Sequence, residues 1–143
     1  MKIIILAAGY GTRLHPLTVS TPKPLLRVGG KSILERTMEM LPALGDIDDV
    51  YVVTNAKYMS QFDQAIGEFK KRVAIQQNII LVDDGTTSNE TRLGPVGDIV
   101  LVLKRFALID DLLVIGADNL FYPTLKELCG FARGKKSPSF GSV

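Results

Sequence analysis

Residues 3–18 read IIILAAGYGTRLHPLT, and the break in the middle of this stretch decides the fold. Ile3 to Ala8 is apolar at every position, so both alternating faces are suited to burial, as in a central strand of a parallel sheet covered on both sides. The segment that follows carries Gly9, Gly11, Thr12 and Arg13 and almost no large hydrophobe. Glycines after a strand let backbone N–H groups approach an anion closely. A threonine hydroxyl and a guanidinium fork add donors that match phosphate oxygens. A second cation, Lys23, stands between two prolines in TPKP. Residues before proline are driven toward extended backbone, so Thr21 and Lys23 are expected to be extended and to present the ammonium on a stiff segment.

Outward from this stretch, apolar periodicity alternates between two periods. Ile33, Leu34, Thr37, Met38 and Leu41 mark a helix over 31–44, distorted at Pro42 and stopped at Gly45. A strand over 49–55 (DVYVVTN) and a helix over 59–73, with Phe62, Ala65, Ile66, Phe69 and Val73 on one stripe, follow. Residues 78–82 (NIILV) form a third strand, and 83–95 a long polar loop. Val96, Ile99, Val100, Leu103 and Phe106 mark a third helix, and 111–116 (DLLVIG) a fourth strand. Pro123 opens a last helix reaching Arg133. Strands alternating with helices define an α/β fold with a doubly wound, mostly parallel sheet and helices on both faces. Ligands in such sheets bind beyond the carboxyl ends of the strands. Residues 9–18, 83–95 and Asp118 all fall there.

Composition narrows the function classes. The 143 residues are 46% hydrophobic and 22% charged, ordinary for one globular domain. A single cysteine excludes an internal disulfide framework and fits a reducing compartment. The N-terminal apolar run is too short for a signal peptide, and no run is long enough to cross a bilayer. A cytoplasmic protein without membrane partners is expected. Residues 1–34 hold five bases and no acid, whereas the remainder holds 12 bases against 15 acids. That asymmetry argues for one local anion site. Aromatic residues do not interleave with the cations, so no nucleic-acid surface is expected.

Two phosphate-binding motifs fail on inspection. GYGTRL resembles the dinucleotide fingerprint GxGxxG, but Leu14 replaces the third glycine and Glu35 is a poor ribose acid, which weakens an oxidoreductase reading. GGKS at 29–32 resembles the end of GxxxxGK[ST], but Leu25 replaces the first glycine and no strand leads into it. A tight Gly-Gly turn followed by a helix start explains it better.

LAAGYGTRLHPLT followed by TPKPLL does resemble one family closely: the nucleotidyltransferases that make nucleotide sugars, whose signature is LAAGxGTRLxPxTxxxPKPxLxV. The match is dense over 6–28 and weaker through VGGKSILE, DGTTSNETRLGPVGD and VIGADNLF. The ten positions between Arg13 and Lys23 match the sugar-phosphate enzymes, including glucose-1-phosphate thymidylyltransferases. The resemblance implies a Rossmann-like domain of the nucleotide-diphospho-sugar transferase type. It implies nucleotidyl transfer from a nucleoside triphosphate to a sugar 1-phosphate, releasing pyrophosphate. Leu6, Ala7, Ala8 and Gly9 would line the nucleoside, and Gly11, Thr12 and Arg13 the triphosphate. Arg13 and Lys23 would stabilise charge at phosphorus, and Asp118 would bind Mg²⁺. Asn89 and the backbone at Gly94 would contact the base, whose identity stays open. Asp118 and Asn119 also read as a simple strand-end turn.

Family members usually continue further, supplying a sugar pocket and a second acidic metal ligand. The resemblance thus implies that 1–143 is one nucleotidyltransferase domain cut short at its C-terminus, carrying the nucleotide and Mg half. An uncovered sheet edge would favour homo-oligomers. A non-catalytic nucleotide-binding or assembly module that kept the fold is the alternative. His15 and Cys129 need no catalytic role, because a phosphate oxygen is already an anionic nucleophile.

Overall fold

The computed structural model describes residues 1–120 and 124–135. β1 (Lys2–Leu6) runs into the glycine loop, which closes with a 3-10 turn at Thr12–Leu14 and another at Lys23–Leu25. A short hairpin pairs β2 (Arg27–Val28) with β3 (Lys31–Ser32) and leads into α1 (Ile33–Met40). β4 (Asp49–Thr54), α2 (Met59–Arg72), β5 (Asn78–Asp83), α3 (Gly94–Arg105), β6 (Leu112–Gly116) and α4 (Thr124–Arg133) complete the order.

The main sheet is wholly parallel, in the order β5-β4-β1-β6. The chain first steps outward from β1 to β4 and β5, then returns to place β6 on the other side of β1. Right-handed crossovers put helices on opposite faces once the direction reverses. The two core clusters show this. Ile3, Ile5, Val50 and Val52 pack with Leu34 and Met38 of α1, Phe62 and Phe69 of α2, and Leu125 and Cys129 of α4. Ile4, Tyr51, Val53 and Val82 point the other way and pack against Val102 of α3. The uniformly apolar β1 is thus buried on both faces, as its sequence requires.

Local chemistry sets the boundaries. Gly29 and Gly30 both have positive φ (59° and 83°), the conformation a two-residue hairpin turn demands. Ser32 then caps α1 through a reciprocal capping box with Glu35. GGKS is therefore a turn and a helix cap, although Lys31 and Ser32 belong to β3 and the helix itself starts at Ile33. α1 ends at Met40, and Pro42 lies in a following 3-10 turn, Leu41–Leu44, that stops at Gly45 (φ 83°). The positions expected at Pro123 and beyond residue 135 lie outside the described residues.

Two expectations are corrected. Lys23 is not extended: Leu25 N–H bonds to the Pro22 carbonyl and Leu26 N–H to that of Lys23, winding the segment into a 3-10 turn. The stiffness comes from that turn. The buried face of α3 is only in part the expected one: Ile99 and Phe106 do pack against the core. Val96 and Val100 are exposed, while Asp98 and Val102 are buried. The helix is apolar nearly all round, so periodicity does not select a face, and a carboxylate on the inner face disguises it.

Candidate functional site

The carboxyl ends of β1, β5 and β6 open into one cleft of about 880 Å³. It lies at the point where the strand order reverses, the expected ligand position in a doubly wound sheet. The residues singled out from the sequence all line it: Leu6, Ala7, Ala8, Gly9, Gly11, Thr12, Arg13, Lys23, Asn89, Gly94 and Asp118. They come from four separate segments, brought together by the topology.

The glycine loop is held from below. Gly11 has φ 60°, and a Cβ there would meet Thr18 Cγ2 at 3.1 Å. The buried Thr18 hydroxyl donates to the Gly11 carbonyl at 2.6 Å. Tyr58 Oη donates to the Thr18 carbonyl, and Asn55 Nδ2 to the Ala8 carbonyl at 2.9 Å. Nothing lies within 4 Å of a Cβ placed on Gly9, which leaves its backbone open to the cleft. The loop is thus fixed before any ligand arrives, with its open side toward the cleft. Preorganisation of this kind lowers the entropy cost of binding.

Arg13 is exposed in the first 3-10 turn and forms no salt bridge among the described residues. Lys23 and Asp118, 95 positions apart, meet directly: Lys23 Nζ donates to Asp118 Oδ2 at 3.2 Å. Asp118 follows β6, whose register against β1 runs Leu6 beside Gly116. Ala117 N–H then bonds to the Leu6 carbonyl, so the turn carrying Asp118 is anchored to the strand that feeds the glycine loop. The strand-end turn expected at Asp118–Asn119 is present, with Asn119 N–H directed to the Gly116 carbonyl at 3.4 Å. The turn and a metal-ligand role are compatible, because the turn leaves the carboxylate in the cleft. No group of three or more His, Cys, Asp or Glu side chains clusters around a potential metal position among the described residues.

Three side chains of the cleft escaped the sequence analysis. Asp84 follows β5, Asp98 lies on the inner face of α3, and Arg92 precedes that helix. Asp84 Oδ1 accepts from the Thr86 N–H and hydroxyl, both at 2.7 Å, while its buried Oδ2 has no donor among the described residues. The same holds for the buried Asp98 Oδ1. Burial, and then the neighbouring Asp84 charge, push Asp98 up to about 6. Its one legible signal is a carboxylate inside the apolar run VGDIVLVL. Arg92 donates to Asn89 Oδ1 at 2.8 Å, leaving the Asn89 amide N–H groups free to face a ligand. Cys129 is buried in the core and His15 is exposed.

A parallel doubly wound sheet with a glycine loop and two cations at its switch point defines an α/β protein with a cleft at the ligand edge of its sheet. The chain belongs to the Nucleotidyl transferase family, whose profile matches residues 2–143. It is 34% identical over 118 residues to a protein of Sulfolobus acidocaldarius assigned as a mannose-1-phosphate guanyltransferase, covering 82% of this chain and 30% of that one. It is 33% identical over 131 residues to the bifunctional protein GlmU of Methanococcus maripaludis, covering 92% and 28% respectively. Its fold superposes on a Bacillus anthracis structure described as a glucose-1-phosphate thymidylyltransferase, with a TM-score of 0.71 and 25% identity over 95% of this chain and 51% of that one. The matched part of the chain spans less than a third of the length of these two curated relatives. No helix among the described residues is long and apolar enough to cross a membrane.

Proposed function

We propose that the full-length protein transfers a nucleotidyl group from a nucleoside triphosphate to a sugar 1-phosphate or similar phosphate monoester, and that this chain carries the triphosphate-binding part. The observation that supports this most is the meeting of Lys23 and Asp118 beside the glycine loop in a family fold. A phosphate oxygen of the acceptor attacks the α-phosphorus. The bond from that phosphorus to the oxygen bridging to the β-phosphate breaks, and pyrophosphate leaves. The nucleophile is already an anion, so no general base is needed, and the barrier falls through positioning and charge neutralisation.

The residues divide that work. Backbone N–H groups of the loop and the Thr12 hydroxyl bind phosphate oxygens, and Arg13, which has no carboxylate partner among the described residues, is available to pair with the triphosphate. Lys23 pairs with Asp118 and is placed to transfer its hydrogen bond to the reacting phosphoryl group. Asp118 fits Mg²⁺: it is a single accessible carboxylate, and one carboxylate completed by substrate phosphates and water is an ordinary magnesium environment. Bound there, Mg²⁺ would offset charge on the phosphates. The substrate would also relieve Lys23 of its partner, so metal and triphosphate should bind together.

Titration with Mg-nucleoside triphosphates tests the phosphate site. Arg13→Ala should weaken binding about tenfold, the usual scale for losing one charge-assisted contact. An unchanged affinity removes Arg13 from the triphosphate site. Triphosphate binding without turnover in the full-length protein would instead favour a nucleotide-sensing module. Self-association belongs to the same reading, supported by the exposed Val96, Val100 and Val114 beside the cleft's α3 side. A monodisperse monomer in sedimentation at high concentration overturns it.

A further inference from the structure

Charge is distributed unevenly along the cleft. Arg13 and Lys23 stand with Asp118 at its β1–β6 end, and Asp84 and Asp98 with Arg92 at its β5–α3 end. β5 lies two strands from β1, about 10 Å at normal strand spacing. That is the scale of a nucleoside, so a triphosphate held by Arg13 and Lys23 places its base among Asp84, Arg92 and Asp98.

Two buried carboxylates facing one cleft are costly unless something donates to them. Asp98 is 4% exposed and Asp84 9%, and each keeps one oxygen without a donor among the described residues. Both residues line the cleft, and these two oxygens lie sealed behind its wall, so the paired carboxylates stay uncompensated until a donor enters the cleft beside them. Resting on the nucleotidyl-transfer reading above, we infer that Asp84 and Asp98 select a base with adjacent N–H donors, which among the common nucleotides is guanine.

The chemistry discriminates in both directions. Guanine presents N1–H and the N2 amino group side by side, and a carboxylate accepts from both. Its O6 and N7 are acceptors, and Arg92 and the free Asn89 amide supply donors for them. Uracil and thymine place a single N–H between two carbonyls, so a carboxylate meets an oxygen on either side. Adenine and cytosine offer an amino group, but a ring-nitrogen lone pair stands where guanine has N1–H. A site built to bond an N–H rejects analogues that lack it, because its buried polar groups are then left unpaired. Rejection by repulsion adds to attraction.

The experiment is a binding titration of the full-length protein, in Mg²⁺, with GTP, ITP, ATP, CTP and UTP. GTP should bind at least about tenfold more tightly than UTP, and ITP, which lacks the N2 amino group, should lose about tenfold against GTP. Asp98→Asn and Asp84→Asn should each erase most of the GTP preference, weakening GTP and, with the repulsion against its carbonyls relieved, strengthening UTP. Thermal melting of Asp98→Asn, which removes an unpaired buried charge, should show no loss of stability, so a changed preference is not an unfolding artefact. Equal affinities, a preference for UTP, or a GTP preference that survives Asp98→Asn would each overturn this inference alone. Failure of every triphosphate to bind would overturn it together with the nucleotidyl-transfer reading.

Discussion

Replacing Lys23 by alanine in the full-length protein should lower the proposed nucleotidyl transfer about a hundredfold, with a smaller change in triphosphate affinity. One preorganised contact to developing charge is commonly worth about 3 kcal/mol of transition-state stabilisation. In the structure the Lys23 ammonium meets Asp118, at 3.2 Å. The pair is partly exposed, with the lysine side chain 33% and the aspartate 56% accessible. An ion pair of that kind contributes little to stability, so the alanine variant should fold normally. Its loss therefore reads on chemistry. Pyrophosphate release with glucose 1-phosphate and other phosphate monoesters measures it. Arg13 and Lys23 act on the same phosphate charge, so the double variant should be less impaired than the product of the singles. A parental rate in Lys23→Ala would reduce the TPKP segment to a loop-shaping role.

The fold was legible where burial is two-sided or periodic. β1, β4, β5 and β6 lie within two residues of their expected limits because their apolar runs leave no other element of that length. The glycine-loop half of the cleft was legible for a different reason: glycines and prolines mark unusual backbone in the sequence. Gly11 at positive φ bears this out, whereas the 3-10 turn at Lys23–Leu25 replaces the extended backbone that the prolines suggested. What stayed hidden is what topology alone creates. No local pattern announces that Lys23 will meet Asp118, or that Asn55 and Tyr58 will hold the glycine loop from 37 or more positions away. α3 shows the same limit more sharply. A carboxylate at the inner face contradicts the pattern of an apolar helix, so the stripe that periodicity chose is only in part the buried one. Conflicts between local pattern and global fold concentrate at functional sites, and Asp98 is such a place.

Asp98→Asn should stabilise the ligand-free protein at neutral pH and lose that advantage in acid. The side chain is 4% exposed, and burial followed by the Asp84 charge raises it from 3.8 to about 6. A folded-state value above the unfolded one means that the folded protein holds this proton more tightly. Below about pH 4 both states are protonated and the group's favourable contribution is fully present. Between 4 and 6 the unfolded chain releases the proton first, so stability falls as pH rises. Above 6 the folded protein carries an uncompensated buried charge, and the contribution is gone. A shift from 3.8 to about 6 corresponds to about 3 kcal/mol, or about 9 °C in Tm for a domain of this length. The amide of Asp98→Asn carries no charge at any pH. The variant should therefore melt about 9 °C above the parent at pH 7.5, with the gap closing toward pH 4. Thermal melts of both proteins across that range measure the difference. A gap that is constant with pH would mean that Asp98 is not the group that titrates, and a variant that melts lower at pH 7.5 would mean that its charge is compensated in the folded protein.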